Sequence, residues 1–290
     1  MKEVTREILQ KIYPKRPPVG KKYDYGLLVV IGGSEFYSGS PALSALAAFK
    51  AGVDMVRIIA PKRAADIIAS FAPVLAAYPL KGDWLTKAHL ATLISMAKSA
   101  KEVTRGKAAV VIGGGMGRSK ETQDAIVEFL SEISETNIPC VIDADAIHAV
   151  SQKPEIIQGK QFLITPHLFE FLLLTGKDIG EKTDEERIQI VQTEAKRLNS
   201  TILLKSGVDI ISDGKEIAIN KTGTSFMTVG GTGDTLAGIA GALLAKGVNT
   251  FEAGQGAAYI NGLAGELASK QLGESLMATD LIEKISEVLK

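Results

Sequence analysis

The chain has 290 residues, of which 46% are hydrophobic and 23% charged, and its 33 basic side chains balance 33 acidic ones. This length and composition suffice for a full core, while a net charge of zero excludes a basic field that would hold nucleic acid or an anionic membrane. The single cysteine, Cys140, lies in an apolar run, excludes an intrachain disulfide and is typical of a reducing compartment.

The first ten residues lack the apolar core of a signal peptide, and no apolar window is long enough to span a bilayer. We therefore predict a cytoplasmic protein that acts on small molecules. Residues 1–22, which contain three prolines, are expected to lie outside the core as an extension of a single domain of residues 23–290.

Short β-branched runs alternate with longer amphipathic segments, which predicts an α/β fold with a mostly parallel central sheet flanked by helices on both faces. The predicted strands are 27–31, 55–60, 108–112, 139–143, 161–165, 201–205, 208–212 and 216–220, the last two joined in a hairpin. The predicted helices are 41–51, 86–100, 120–135, 184–198, 235–246, 251–270 and 280–289. Thr183 and Glu186 predict a capping box before the fourth helix.

Glycine, acidic, histidine and lysine residues follow the predicted strands. They lie at the carboxyl ends of the strands, where ligands bind in sheets of this kind. The segments are 32–41, 113–118, 143–146, 166–170 and 205–207. Glycine turns alone would be weak evidence, since tight strand-to-helix connections use them anyway. Acids, a histidine and a lysine at the same edge predict one binding site.

The most informative segment is Gly230-Gly231-Thr232-Gly233-Asp234, which runs directly into an apolar helix. Glycines let successive backbone N–H groups converge, and the first turn of a helix leaves its N–H groups unpaired, so this turn favours a phosphate. Asp234 stands at the junction, where a carboxylate can act on a substrate hydroxyl. The alternative is an ordinary turn in which Thr232 or Asp234 caps the helix.

The order of these motifs resembles that of the ADP- or ATP-dependent NAD(P)H-hydrate dehydratases, a family of the ribokinase-like superfamily. The resemblance runs from Tyr23 to the C-terminus and is most specific in residues 220–238, which are similar to the family block N-x-T-G…GG-[ST]-G-D-x-L-x-G. Three earlier segments also resemble the family pattern and occur in the same order as in the family. They are Gly32-Gly33-Ser34 with Tyr37 and Gly39, Asp143-Ala144-Asp145-Ala146, and Thr165-Pro166-His167 with Glu170.

The resemblance implies a ribokinase-like catalytic domain that repairs hydrated NADH and NADPH, a hydro-lyase reaction with ADP or ATP as co-substrate. The terminal phosphoryl group of the nucleotide would pass to the ring hydroxyl, and loss of phosphate would restore the ring double bond. Asp234 would be the catalytic base, with the amides of residues 231–234 stabilising charge on the phosphoryl oxygens.

The resemblance also implies binding residues. For the hydrated dinucleotide they are Ser40, Gly115, His167 and Asp234. For the nucleotide they are Lys205, Ser206, Gly207, Val208, Asp209, Gly231, Thr232 and Gly233, with Asn220, Glu170 and Asp143 as supporting residues. Mg²⁺ is expected from phosphoryl transfer, its ligands unassigned. A homo-oligomer such as a tetramer is also implied, with the Ala- and Gly-rich C-terminal helices as candidate contacts.

The residues by themselves leave several alternatives open. His167 is either a ligand or a helix cap, and Asp143 and Asp145 are either turn and cap residues or lie near Mg²⁺ through water. The segment Leu168-Phe169 replaces a Pro-Gly of the family pattern, Ser206 is inserted after Lys205, and Gly113-Gly114-Gly115 replaces Gly-Pro-Gly. A superfamily kinase for a vitamin-precursor or sugar hydroxyl, or a non-catalytic nucleotide-binding regulator, would use the same turn.

Overall fold

The computed structural model describes residues 1–290, which form one sheet of ten strands and eleven α-helices. The strands are β1 (Lys2–Glu3), β2 (Leu27–Ile31), β3 (Met55–Pro61), β4 (Ala76–Leu80), β5 (Ala108–Ile112), β6 (Cys140–Ile142), β7 (Phe162–Ile164), β8 (Thr201–Leu204), β9 (Asp209–Ser212) and β10 (Ile217–Asn220). The helices are α1 (Glu7–Ile12), α2 (Gly39–Lys50), α3 (Lys62–Phe71), α4 (Leu90–Val103), α5 (Lys120–Ser134), α6 (Asp145–Ser151), α7 (Leu168–Thr175), α8 (Asp184–Leu198), α9 (Thr232–Ala245), α10 (Thr250–Leu272) and α11 (Ala278–Val288).

The strand order is β1-β10-β9-β8-β7-β6-β5-β2-β3-β4, and all neighbours are parallel except β9, which is antiparallel to both β8 and β10. Crossover connections to parallel strands place the ends of β2, β5, β6, β7 and β8 at one edge of the sheet. The predicted mostly parallel α/β fold is therefore confirmed. None of the helices combines the length and the apolar character that a membrane span requires.

Helices cover both faces of the sheet, as predicted. Along β2, Leu28 and Val30 pack into one buried cluster with α2, α9, α10 and α11, whereas Leu27, Val29 and Ile31 pack into a second cluster with α4 to α8. This division follows from the alternation of side chains along a strand. Because both faces are covered, β2 reads as an uninterrupted apolar run.

The predicted elements are all present, and the Thr183–Glu186 capping box is formed. Strands β2 and β5 and helix α8 have the predicted ends, whereas the ends of the other elements are shifted. The predicted helix at 86–100 is a 3-10 turn at Lys87–His89 followed by α4. Four helices (α1, α3, α6 and α7) and two strands (β1 and β4) were not predicted. Strand β4 is an edge strand that contains Pro79, a residue that weakens the sequence pattern of a strand.

The prediction that residues 1–22 lie outside the core is wrong for their first half. Strand β1 pairs in parallel with β10, and Val4, Ile8, Leu9 and Ile12 are buried in the cluster of α9 and α10. The apolar stripe of α1 is only one and a half turns long, so charged neighbours obscure it in the sequence. Residues 14–22 are exposed.

The small residues of the C-terminal helices pack within the chain rather than forming an open surface. A Cβ on Gly256 of α10 would collide with Ile12 and Leu243, and one on Gly241 of α9 with Val111 and Leu28. The Ala- and Gly-rich faces offered as contacts for self-association are therefore already buried.

Helices α2 and α9 are in close backbone contact at Gly238. A Cβ at this position would overlap the backbone of Ser44, including its carbonyl oxygen. This contact sets the separation of the two helices, and each helix carries a polar residue of the candidate site near its N-terminus.

Gly238→Ala is expected to destabilise the fold by about 1–3 kcal/mol, because overpacking against a backbone cannot be relieved by a rotamer change. Denaturant unfolding measures this loss. Gly39→Ala is the matched control, since a Cβ on Gly39 meets nothing within 4 Å. Equal stability of the two variants would show that α2 and α9 can separate without cost.

Candidate functional site

The glycine turn ends in the N-terminus of α9, and no side chain caps this helix. Gly231, the residue before the helix, has φ of 98°, a left-handed conformation that favours glycine. Thr232 Oγ1 donates instead to the carbonyl oxygens of Met227 and Val229, at 2.8 and 3.1 Å. The alternative of an ordinary capped turn is therefore wrong, and the first N–H groups of α9 are free to bind an anion.

Asp234 is held by α2 through both its side chain and its backbone. Ser40 Oγ donates to Asp234 Oδ1 at 2.5 Å, and Ser44 Oγ donates to the Asp234 carbonyl oxygen at 2.9 Å. Burial raises the pKa of Asp234 to about 6, the Ser40 hydrogen bond opposes this, and the nearby charge of Asp143 adds to it. Such a carboxyl is a stronger base than one in water and is still ionised at neutral pH.

The triple-glycine loop after β5 lies directly against this pair. A Cβ on Gly114 would stand 2.9 Å from Asp234 Oδ1 and from Ser40 Oγ, so only glycine leaves the carboxylate accessible there. The neighbouring Gly115, at φ of 66°, lies against the ring of Tyr37. Ser40, Gly115 and Asp234, predicted from separate segments, are thus brought to one place.

Lys205 joins the carboxylates that follow β6 and β7. Its Nζ donates to Asp143 Oδ1 at 2.8 Å and lies 3.8 Å from Glu170 Oε2. Burial alone would lower the pKa of Lys205, but Asp143 and Glu170 outweigh it and raise this pKa, so the ammonium stays charged. Asp143 also accepts from Thr165 Oγ1 at 2.7 Å, while burial raises the pKa of Glu170.

His167 caps helix α7, which is one of the two roles proposed for it, and its side chain also lines the main cavity beside the glycine turn. Its Nδ1 accepts from the backbone N–H groups of Phe169 and Glu170, and Glu170 Oε2 accepts from the His167 N–H at 2.9 Å, so the residue caps α7. The same side chain is half-exposed and lines the main cavity. The cap interpretation is confirmed, and it fixes the ring at the cavity wall.

The main cavity has a volume of about 730 Å³ and lies beside the glycine turn. Six of the eight residues predicted for the nucleotide line it, namely Lys205, Ser206, Gly207, Asp209, Thr232 and Gly233. Val208 and Gly231 do not. The Val208 carbonyl oxygen accepts from Ser206 Oγ, and Gly231 packs against Leu43 and Ala278.

Asn220 is fully buried and orders the cavity wall between β9 and β10. Its Nδ2 donates to Asp209 Oδ2 at 3.1 Å and to the Thr222 carbonyl oxygen at 3.2 Å, and its Oδ1 accepts from Thr222 Oγ1 at 2.9 Å. Burial raises the pKa of Asp209 to about 6, although the Asn220 amide lowers it. The first three residues of the N-x-T-G pattern therefore form a local hydrogen-bonded turn.

Asn261, which lies on α10 and lines the cavity, was not among the predicted site residues. Asn261 Nδ2 donates to the Thr232 carbonyl oxygen at 3.2 Å, and Thr235 Oγ1 lies 2.7 Å from Asn261 Oδ1. This amide fixes the first turn of α9. The available signal was a buried amide among the small residues of a long apolar helix.

Asp145 binds the loop after β5 instead of capping α6. Its carboxylate accepts from the Gly117 N–H at 2.9 Å and from Arg118 Nε at 2.8 Å. No group of three or more His, Cys, Asp or Glu side chains is arranged to hold a metal ion. Cys140 is fully buried, as expected for an inert thiol.

Known proteins are similar to this chain in sequence and in fold. The family model described as NAD(P)H-hydrate dehydratase matches residues 28–287. A bifunctional NAD(P)H-hydrate repair enzyme from Pyrobaculum aerophilum is 41% identical over 93% of this chain and 52% of its own length. An ADP-dependent (S)-NAD(P)H-hydrate dehydratase from Nitrosopumilus maritimus is 32% identical over 100% of this chain and 97% of its own length.

The chain spans about half the length of the bifunctional relatives, 51–52% for three of them. The fold is also that of a solved ADP/ATP-dependent NAD(P)H-hydrate dehydratase from Bacillus subtilis, co-crystallised with ATP and Mg²⁺. That structure is 22% identical, with a TM-score of 0.78 over 99% of this chain and 97% of its own.

Ser40→Ala is expected to raise the pKa of Asp234 further above about 6, because it removes the hydrogen bond that favours the ionised carboxylate. Carbon-13 NMR titration of the aspartate carboxyls measures this change. Ser44→Ala removes a hydroxyl from the Asp234 backbone oxygen only and should leave that pKa unchanged. Equal titration in both variants would contradict the assigned contact.

Proposed function

The chain belongs to the NAD(P)H-hydrate dehydratase family, and we propose that it dehydrates hydrated NADH and NADPH back to NAD(P)H, with ADP or ATP as the phosphoryl donor. The observation that carries this proposal is the partly buried Asp234 carboxylate, which lies in the first turn of an uncapped helix and against Ser40 and Gly114. A base and an anion site are thereby adjacent, as phosphoryl transfer to a hydroxyl requires.

In the proposed reaction, the oxygen of the ring hydroxyl attacks the terminal phosphorus of the nucleotide, and Asp234 accepts the proton of that hydroxyl. An oxygen–phosphorus bond forms, the phosphoanhydride bond breaks, and the shortened nucleotide takes the electron pair. The carbon–oxygen bond of this phosphate ester then breaks, inorganic phosphate leaves with the electron pair, and the adjacent ring carbon loses a proton to water so that its C–H electron pair forms the double bond. The amides of the first turn of α9 stabilise charge on the transferred group.

We assign the main cavity to the nucleotide. Lys205, Ser206, Gly207 and Asp209 line one part of it, and Thr232 and Gly233 line the part next to Asp234 in the chain. His167, Ser40 and Gly115 are assigned to the hydrated dinucleotide. Asp143 and Glu170 act through Lys205, because they hold its ammonium between the two binding regions.

Mg²⁺ fits this site as a companion of the nucleotide rather than as a resident ion. The carboxylates of Asp143 and Glu170 are already engaged by Lys205, and no cluster of metal ligands exists. Mg²⁺ is commonly held by one or two carboxylates, waters and substrate phosphates, and it would supply charge neutralisation. Among the neighbouring acids, Asp143 has the largest effect of its charge on the pKa of Asp234. We therefore propose that Asp143 contacts Mg²⁺ through a water molecule.

We further propose one catalytic domain of residues 23–290 with residues 1–12 packed onto it, a cytoplasmic location, and a homo-oligomer such as a tetramer. The free, buried thiol of Cys140 suits a reducing compartment. The oligomer rests on the family resemblance alone, since the small-residue faces of α9 and α10 are buried.

Asp234→Asn should reduce turnover about 100-fold or more while nucleotide binding persists, because the variant keeps the shape and loses the base. The measurement follows recovery of reduced-nicotinamide absorbance from hydrated NADH with Mg²⁺ and either ADP or ATP, together with phosphate release. The control is Asp66→Asn, in an exposed pair with Lys62 on α3. Accumulation of a phosphorylated product without NADH would support a superfamily kinase, whereas nucleotide binding without any turnover by the wild-type protein would support a regulator.

The pH dependence follows from the raised pKa of Asp234. Because the base must be ionised, kcat/KM should fall as pH falls through about 6, and stay level above it. Ser40→Ala should move the midpoint of this fall upward, in parallel with the carboxyl titration. A profile that is flat from pH 5 to pH 8 would contradict a role for Asp234 as the base.

A further inference from the structure

We propose that Phe169, His148 and Arg118 form the surface that binds the adenosine-phosphate half of the hydrated dinucleotide. This inference rests on the proposed function. These three residues are called here the Phe169 shelf. The Phe169 ring lies beside those of His167 and His148, Arg118 acts electrostatically on His148, and none of the three lines the cavity assigned to the donor nucleotide.

The first observation is the exposure of Phe169. Its ring is 54% exposed in the first turn of α7, at the edge of the sheet where the site lies. It stands nearly parallel to the His167 ring, with 6.5 Å between centroids and 21° between planes, and 6.2 Å from the His148 ring. A large, half-exposed apolar ring near two imidazoles suits a planar heterocycle.

The second observation is the state of His148. Burial and the charge of Arg118 lower its pKa, although Asp145 acts in the opposite direction. His148 is therefore neutral at pH 7. A neutral imidazole beside Phe169 extends the stacking surface without adding a charge that would need a partner.

The third observation is the geometry of Arg118. Its Nε donates to Asp145 Oδ1 at 2.8 Å, while the second Asp145 oxygen accepts from the Gly117 N–H. The terminal guanidinium nitrogens have no acceptor in the protein, and the side chain is 56% exposed. A guanidinium oriented through Nε with its terminal nitrogens free is suited to a phosphate oxygen.

The order of residues along the sheet edge indicates which part of the dinucleotide reaches the Phe169 shelf. Asp234 lies close to Lys205, Lys205 contacts Glu170, Glu170 contacts His167, and the ring of Phe169 follows. A hydrated dinucleotide with its reacting ring at Asp234 and His167 would carry its pyrophosphate past Arg118 and its adenine to Phe169. The donor nucleotide would occupy the cavity on the other side of His167.

The test compares hydrated NADH with hydrated reduced nicotinamide mononucleotide, which lacks the adenosine-phosphate half. Phe169→Ala should raise KM for hydrated NADH about 10-fold or more, which corresponds to the loss of one base–aromatic stack. It should leave kcat and the KM for the mononucleotide unchanged, and Phe169→Tyr should restore the wild-type KM. Phe71→Ala, which truncates a phenylalanine of equal exposure (53%) at the end of α3, is the control.

Equal increases in KM for both substrates would overturn the inference, because Phe169 would then act on the reacting ring. An unchanged KM for hydrated NADH would also overturn it. Thermal melting of Phe169→Ala separates either result from a folding defect, and Phe169→Tyr supplies the folded comparison if the alanine variant unfolds. Failure of the wild-type protein to regenerate NADH would overturn the proposed function first, and the shelf with it.

Discussion

The candidate site depends on one constraint, which is that two buried carboxylates and a partly buried one share a single, partly buried cation. Asp143 and Glu170 contact Lys205 directly, and Asp234 lies within its electrostatic reach. Burial raises the pKa of Asp234 and of Glu170, so ionisation of this group is unfavourable when nothing else neutralises it. A raised native pKa for an acid also means that the fold loses stability as pH rises through that pKa. Ionisation of these carboxyls at neutral pH therefore lowers the stability of the fold, and other interactions compensate for this loss.

The offset comes from hydrogen bonds and packing around each charged group. Thr165 donates to Asp143, Ser40 donates to Asp234, and the His167 N–H donates to Glu170. No buried side-chain polar atom of the protein lacks a hydrogen-bond partner. The close contact of Gly238 with Ser44 then holds α2 against α9, so that the Ser40–Asp234 pair cannot drift apart. Amide donors and a cation that accompanies the nucleotide are the natural complement of such an electronegative site.

The sequence was informative where one residue type has one physical reason to occur. The apolar runs of buried parallel strands such as β2 and β5 predicted these strands, and the Gly231–Asp234 turn predicted a helix whose first N–H groups are unpaired. It was uninformative where a contact decides the role. Nothing in the sequence indicates that Asp145 would bind the loop after β5, or that Asn261 would bind α9 from a distant helix. Short α1 and two-residue β1 need the finished sheet edge to form at all.

The parallel pairing of β1 with β10 bears on how the protein emerges from the ribosome. Lys2 pairs with Ala218, so the first strand waits for its partner while more than two hundred residues are made. At ordinary rates of synthesis this wait is roughly 10–40 s. The Ser40–Asp234 hydrogen bond spans 194 residues and forms equally late. A nascent chain therefore completes most of its parallel sheet before it acquires Asp234, and a product terminated before α9 would lack both the proposed base and three helices that cover one face of the sheet.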